Sequence, residues 1–230
     1  MDSRTFGRVS VTLPNLADGY LTNVTTLESG RGSVQEFRYA DADLRDLDLA
    51  RARLITGRVT HLHATRVRLD DVRVDSVEFD SCDFGSADWS DSKLSRVVFR
   101  DCKIMGANLT RVNLDSVLFE NCKLDYATFE QVRAAGPVAF SKTALIEASF
   151  NGCDLAKVVF DDCTLRLTEF GRGTYKETDL RGNELTTVRG VANLAKVIIN
   201  HSQQADLAQA LTAELEVIYD EDLDNGRSNW

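Results

Sequence analysis

No stretch of the chain approaches the roughly 18 consecutive apolar residues that a membrane-spanning helix requires. The opening MDSRTFGRVSVTLPNL lacks a basic region followed by an apolar run, so no export signal is read there. A cytoplasmic protein without membrane attachment is expected. Prolines are scarce, two in 230 residues, while 43% of side chains are hydrophobic, which suits one domain with a continuous core. Cysteines number five. Cys82, Cys102, Cys122, Cys153 and Cys163 form no CxxC and cannot all pair, which argues against a disulfide frame or a conventional zinc site; reduced, buried thiols are expected. Cations are in deficit, with 27 Lys plus Arg against 36 Asp plus Glu and a net charge of -9. That balance disfavours a phosphate-tracking groove, so the expected partner is a protein with a basic surface and not nucleic acid.

What the chain does have is a beat of five. Large apolar residues recur at Tyr39, Leu44, Leu49, Leu54 and Val59, then from Leu69 through Phe79, Phe84, Trp89, Leu94 and Phe99 to Phe129. Neither a helix nor a strand has that period. After Ala134 the phase slips by one residue at Gly136-Pro137 and resumes at Phe140, running to Leu185. Two positions before most of these residues sits a small or β-branched one, such as Ala87, Val97, Cys102 or Ala107, so two of every five side chains should point inward.

Segments such as ADADL, SADWS, GANLT, YATFE, EASFN and CDLAK resemble the A(D/N)Lxx motif of the pentapeptide-repeat family, over residues 34–187. The resemblance implies an all-β solenoid: a right-handed, quadrilateral β-helix with four pentapeptides per coil. The sequence supports that coil size separately, because Phe79, Phe99, Phe119, Phe140 and Phe160 follow one another at 20, 20, 21 and 20 residues. Coils stacked at about 4.8 Å would align them into an internal ladder. Such a rod is quasi-one-dimensional and needs both ends closed. Residues 1–33 are expected to form the N-terminal cap and 34–187 the β-helix, with a bulge near 135–137. Residues 188–219 are expected to hold a C-terminal cap and short α-helix, and 220–230 an acidic flexible tail. Asn200 or Ser202 would cap that helix, whose apolar face is Ala205, Leu207, Ala208, Leu211, Leu215 and Ile218. It would either close the last coil or meet another subunit.

Chemistry is hard to find. His61 and His63 fall at outward positions without the further ligands a metal needs, and the cysteines fit small core positions. Gly171-Arg172-Gly173-Thr174 keeps the five-residue register and opens no helix, so it is no phosphate loop. A filled interior offers no deep pocket. A non-enzyme without metal or cofactor is expected.

Charge is sorted by side. One side carries Asp48, Asp70, Asp71, Asp88, Asp91, Glu130 and Glu169, with Arg51, Arg68, Arg111 and Arg172 interspersed. A second carries Glu78, Asp80, Asp101, Glu120, Asp161, Asp162 and Asp179 against Arg100, Lys142 and Arg181. A third offers Arg53, Arg73, Lys93 and Arg133. Within the family, the fluoroquinolone-resistance members resemble a DNA duplex in width and charge, bind DNA gyrase and dimerise through a C-terminal helix. This chain is similar in rod, acidity and terminal helix, and lacks long projecting loops, although no gyrase-specific residue carries over. The resemblance implies a DNA-mimicking modulator of DNA gyrase or topoisomerase that gives resistance to a gyrase-targeting toxin or drug. Asp48, Asp70, Asp71, Asp88, Asp91 and Glu130 would be the partner-binding face, and Leu207, Leu211, Leu215 and Ile218 the homodimer contact. The alternative is a scaffold that docks another partner along one face.

Overall fold

The computed structural model describes residues 2–16, 18–27 and 32–220. Successive coils pair as parallel strands twenty residues apart, Val77 with Val97 and Val117, Phe79 with Phe99 and Phe119. The result is a parallel β-solenoid of about seven turns. Its turning is local. Most corner residues, spaced five apart, adopt a left-handed backbone, among them Ser76 (φ 57°), Ser81 (54°), Ser86 (56°), Asp91 (49°) and Arg96 (51°), and four corners close a twenty-residue coil. Between corners the chain is extended, so side chains alternate. Residues one and three after a corner point inward, while those two and four after it, and the corner itself, point outward. Left-handed geometry costs a non-glycine residue about 1–2 kcal/mol. It is held here by coil-to-coil bonds in which the corner N–H donates to the next coil, Ser81 to the Arg100 carbonyl at 2.9 Å and Ser86 to that of Met105 at 2.8 Å.

The phenylalanine ladder stands as spaced. Phe79, Phe99, Phe119, Phe140 and Phe160 stack with successive centroid distances of 5.0, 5.0, 4.8 and 4.9 Å. Phe129, Phe150 and Phe170 form a second stack on another side, at 4.5 and 5.6 Å. At the phase slip, Ala135 and Gly136 both donate to the Leu114 carbonyl, at 2.8 and 3.3 Å. The extra residue is absorbed there, and Val117 pairs with Val138 so that all later coils recover alignment.

The smaller inward position is also a hydrogen-bond donor. Cys102, Cys122 and Cys163 point their thiols at the carbonyls of Phe79, Phe99 and Phe140, at 3.5, 3.4 and 3.3 Å. Thr143 and Asn183 occupy the same column and donate to Phe119 and Phe160 at 3.1 and 2.8 Å. The cysteines are therefore chosen for more than small size, because each satisfies the carbonyl of the large residue one coil back. Burial pushes the Cys153 thiol up to about 11 and that of Cys163 to about 12.

Residues 2–13 lie elsewhere than the N-terminal cap expected of them. Ser3–Phe6 (β1) and Val9–Thr12 (β2) form an antiparallel hairpin laid along the outside of the middle and later coils. Phe6 and Val11 bury themselves against Val98, Leu118, Ala139 and Val159, with Val9 and Leu13 packed at the margin. Those four rod residues occupy one outward column beside the phenylalanine ladder, where a solvated rod would carry polar groups. The hairpin covers an apolar stripe that would otherwise face water. Arg4 bonds Glu120 and lies over the Phe6 ring at 5.0 Å. The tip, Gly7 (φ 54°), rests against the Asp179–Arg181 pair.

The end of the rod is closed by later residues of the same N-terminal segment. Thr22–Asn23 (β3) pairs with Phe37 and Arg38, and Leu27 is buried in the column. Phe37 fills a position where most coils hold a small side chain, and Gly57 directly above makes room for it, since a Cβ on Gly57 would fall within the Phe37 ring. At the other end, coil-to-coil pairing runs beyond residue 187 to Ile198. Asn200 and Gln203 form a capping box on the turn His201–Gln203, leading into the helix Gln204–Glu214 (α1). Gln203 also donates to the carbonyls of Leu180 and Asn183, at 2.9 and 2.7 Å. The expected acidic tail falls almost entirely on 221–230, outside the described residues.

Candidate interaction surface

The six acidic residues singled out from the sequence share one side, built on the inward residues Leu49, Leu69, Trp89, Leu109 and Phe129. Backbone register sets its outward columns. Asp48 pairs with Arg68, Arg68 with Asp88, and Asp88 with Asn108. Asp70 pairs with Ser90, followed by Thr110 and Glu130. The corners at this edge are Arg51, Asp71, Asp91 and Arg111. Acid is therefore dense over two coils, at Asp70, Asp71, Asp88 and Asp91, and thins beyond Arg111.

Several of these carboxylates are engaged. Arg68 lies 3.7 Å from both Asp48 and Asp70, Ser90 donates to Asp70 at 2.7 Å, and Asn108 donates to Asp88 at 3.0 Å. Arg111 grips Asp91 with two bonds of 2.6 Å, which holds the Asp91 carboxyl below its ordinary value. Asp71 and Glu130 have no ion pair or side-chain hydrogen bond among the described residues. Next to them Asp46, Asp48, Arg66, Asp70 and Asp88 line an open, shallow depression of about 660 Å³. It is a charged concavity on the surface and holds no enclosed site.

The second acidic side is differently placed. Arg58 and Arg100 both bond Glu78, and Arg100 and Arg4 both bond Glu120. Burial raises the Glu120 carboxyl, but those two guanidinium bonds outweigh it and leave the group below its ordinary value. With the hairpin over it, this side is not a free acidic strip. The signal was present in the sequence, because Val98, Leu118, Ala139 and Val159 recur at outward positions. His61 and His63 each face a carboxylate one coil away, Asp41 at 3.2 Å and Asp83 at 3.6 Å. Among the described residues no group of three His, Cys, Asp or Glu is placed to hold a metal. On the side built from Phe84, Ile104 and Leu124, Met105 and Tyr126 are 37% and 56% exposed, a feature the charge reading passed over.

In the terminal helix, Leu207 packs against the rod's core and Leu211 is half-buried. Leu215 and Ile218 lie beyond the helix end at Glu214 and are 65% and 71% exposed. The four leucine and isoleucine positions therefore split into two that face the rod and two that face outward.

Residues 78–115 match the family model for pentapeptide repeats, with eight copies. The chain carries pentapeptide repeats. No curated protein matches the chain. Among solved structures, the chain is similar to a trypsin-treated form of QnrB1, a plasmid-mediated fluoroquinolone resistance protein, with TM-score 0.46 and 15% identity over 78% of this chain and 98% of that one. Full-length QnrB1 gives 0.40 and 16% over 82% and 94%. HetL, a pentapeptide repeat protein involved in heterocyst differentiation regulation from the cyanobacterium Nostoc sp., gives 0.34 and 15% over 75% and 89%.

Proposed function

We propose that the rod is a non-catalytic, cytoplasmic binding protein, and that the side carrying Asp48, Asp70, Asp71, Asp88, Asp91 and Glu130 docks the basic surface of a partner protein. The partner proposed is DNA gyrase or a related topoisomerase, whose duplex-gripping surface is built for closely spaced negative charge; binding there gives resistance to a gyrase-targeting toxin or drug. The observation that carries this reading is the set of four carboxylates within two coils, fixed on strands about 4.8 Å apart. Complementary fields of this kind raise encounter rate and set specificity. In a supercoiling assay the purified protein should inhibit gyrase or protect it from drug-stabilised cleavage, and changing Asp70, Asp71, Asp88 and Asp91 to Asn should abolish the effect. No change in either readout at micromolar protein sinks the proposal.

One observation favours a second reading, a scaffold that docks a different partner. Arg68 and Arg111 interrupt the acidic columns and hold Asp48, Asp70 and Asp91, leaving a patch shorter than a duplex-length strip. A native pull-down that returned one salt-insensitive, non-topoisomerase partner would support it. We further propose a homodimer in which Leu215 and Ile218 meet their counterparts while Leu207 and Leu211 brace the helix on the rod.

A further inference from the structure

The third charged side departs from a pattern seen on the others. There, several arginines find acid one coil away, as in Arg58–Glu78, Arg66–Asp46, Arg96–Asp75 and Arg111–Asp91. On the side built from Leu54, Val74 and Leu94, backbone register sets Arg53 beside Arg73 and Arg73 beside Lys93, then passes through Asn113 to Arg133. All four cations are exposed. Like charges directly opposite one another on neighbouring strands are destabilising, and none of these four has an ion pair among the described residues. The column ends where the register sets Asp154 beside Arg133, and Asp75, two residues after Arg73, is already bonded by Arg96. An unpaired cationic file is conspicuous on a chain of net charge -9.

We propose that Arg53, Arg73, Lys93 and Arg133 form a docking file for an acidic, extended polypeptide segment of a partner protein. The file is one side chain wide and spans four coil steps, about 19 Å at about 4.8 Å each, the length of about six extended residues. Its flank decides between polyanions. Asp71 and Asp91 hold the corner two residues before Arg73 and Lys93, so a broad phosphate surface would be pressed onto carboxylates, whereas a single narrow strand lies clear of them. The proposal concerns a different side from the acidic face and stands or falls separately from it.

The test is fluorescence anisotropy at low salt with a labelled ten-residue peptide of alternating Glu and Ser, and with single-stranded oligo-dT of the same length as a second probe. The full chain should bind the Glu-Ser peptide, and oligo-dT more weakly. Arg53→Gln/Arg73→Gln/Lys93→Gln should weaken peptide binding at least tenfold, while Lys103→Gln/Lys123→Gln/Arg166→Gln, which removes as much charge from another side, should leave it unchanged. Unaltered circular dichroism and melting would confirm that both variants fold. The proposal is overturned by no peptide binding, by equal loss in the two variants, or by oligo-dT binding more tightly through the same three residues.

Discussion

The hairpin gives a perturbation whose effect should stay local. Phe6 is 5% exposed and packs in a cluster with Val11, Val98, Leu118, Ala139 and Val159 that is separate from the column inside the rod. A lone two-stranded hairpin is marginal in water, so β1 and β2 owe their order to this docking. Phe6→Ala removes the largest side chain in the cluster, at a cost of about 3–5 kcal/mol. It also deletes the Arg4 contact with the ring, worth about 0.5–1 kcal/mol. Together about 3.5–6 kcal/mol, at about 1.4 kcal/mol per factor of ten, these should take roughly two and a half to four orders of magnitude of hydrogen-exchange protection from the hairpin amides. Leu13, whose N–H donates to the Asp2 carbonyl at 2.8 Å, is a suitable reporter. Protection in the coil strands around Phe99 and Phe119 should hold, as should the urea midpoint, because no inward residue changes. Leu118→Ser, made from the rod's side, should reproduce the pattern. If the hairpin amides kept their protection, the apolar contact would not be what holds them; if hairpin and coils lost protection equally, the two would unfold as one unit and the separation would be wrong.

Leu215→Ser/Ile218→Ser should convert a homodimer to monomer by light scattering while the melting temperature of the coils stays put; a wild-type chain that is monomeric at high concentration would remove the dimer. The five cysteines are free and buried, so Ellman's reagent should modify none in the native protein and all five in urea; rapid modification of the native form would contradict the packing. The folded pKa values of about 11 for Cys153 and about 12 for Cys163 lie above the ordinary thiol value. Their contribution to stability is therefore complete below about pH 8.5, the unfolded value, and is lost as pH rises towards the folded ones. Cys153→Ala/Cys163→Ala should flatten the alkaline arm of the urea midpoint measured against pH.

The fate of Val98 marks the boundary between what was legible and what was not. Its outward position follows from the five-residue count, and the recurrence of Leu118, Ala139 and Val159 in the same column is visible in the chain. What covers that column is a segment some ninety residues earlier, and no local rule connects the two. The same holds for the acidic face. The count placed Asp70, Asp71, Asp88 and Asp91 on one side, but which of them Arg68, Ser90, Asn108 and Arg111 would engage depends on side-chain reach across neighbouring coils. The sequence offered Asn200 or Ser202 as the cap of the terminal helix; Asn200 instead caps the turn His201–Gln203, the helix starts at Gln204, and its apolar spacing was read past its end. Amphipathic spacing continues past Glu214, whereas the helix stops where its packing against the last coil runs out.

By itself the sequence determined the rod: the coil of twenty, the inward pair in every five, the phenylalanine ladder and the one-residue slip at Gly136-Pro137. These follow because in a solenoid each coil meets only its neighbours, so a fixed spacing along the chain becomes a fixed position in space. Only the tertiary structure decided what covers the rod's outside, where the hairpin masks one side and Arg4 reaches Glu120. Those outcomes depend on contacts between residues that no period relates.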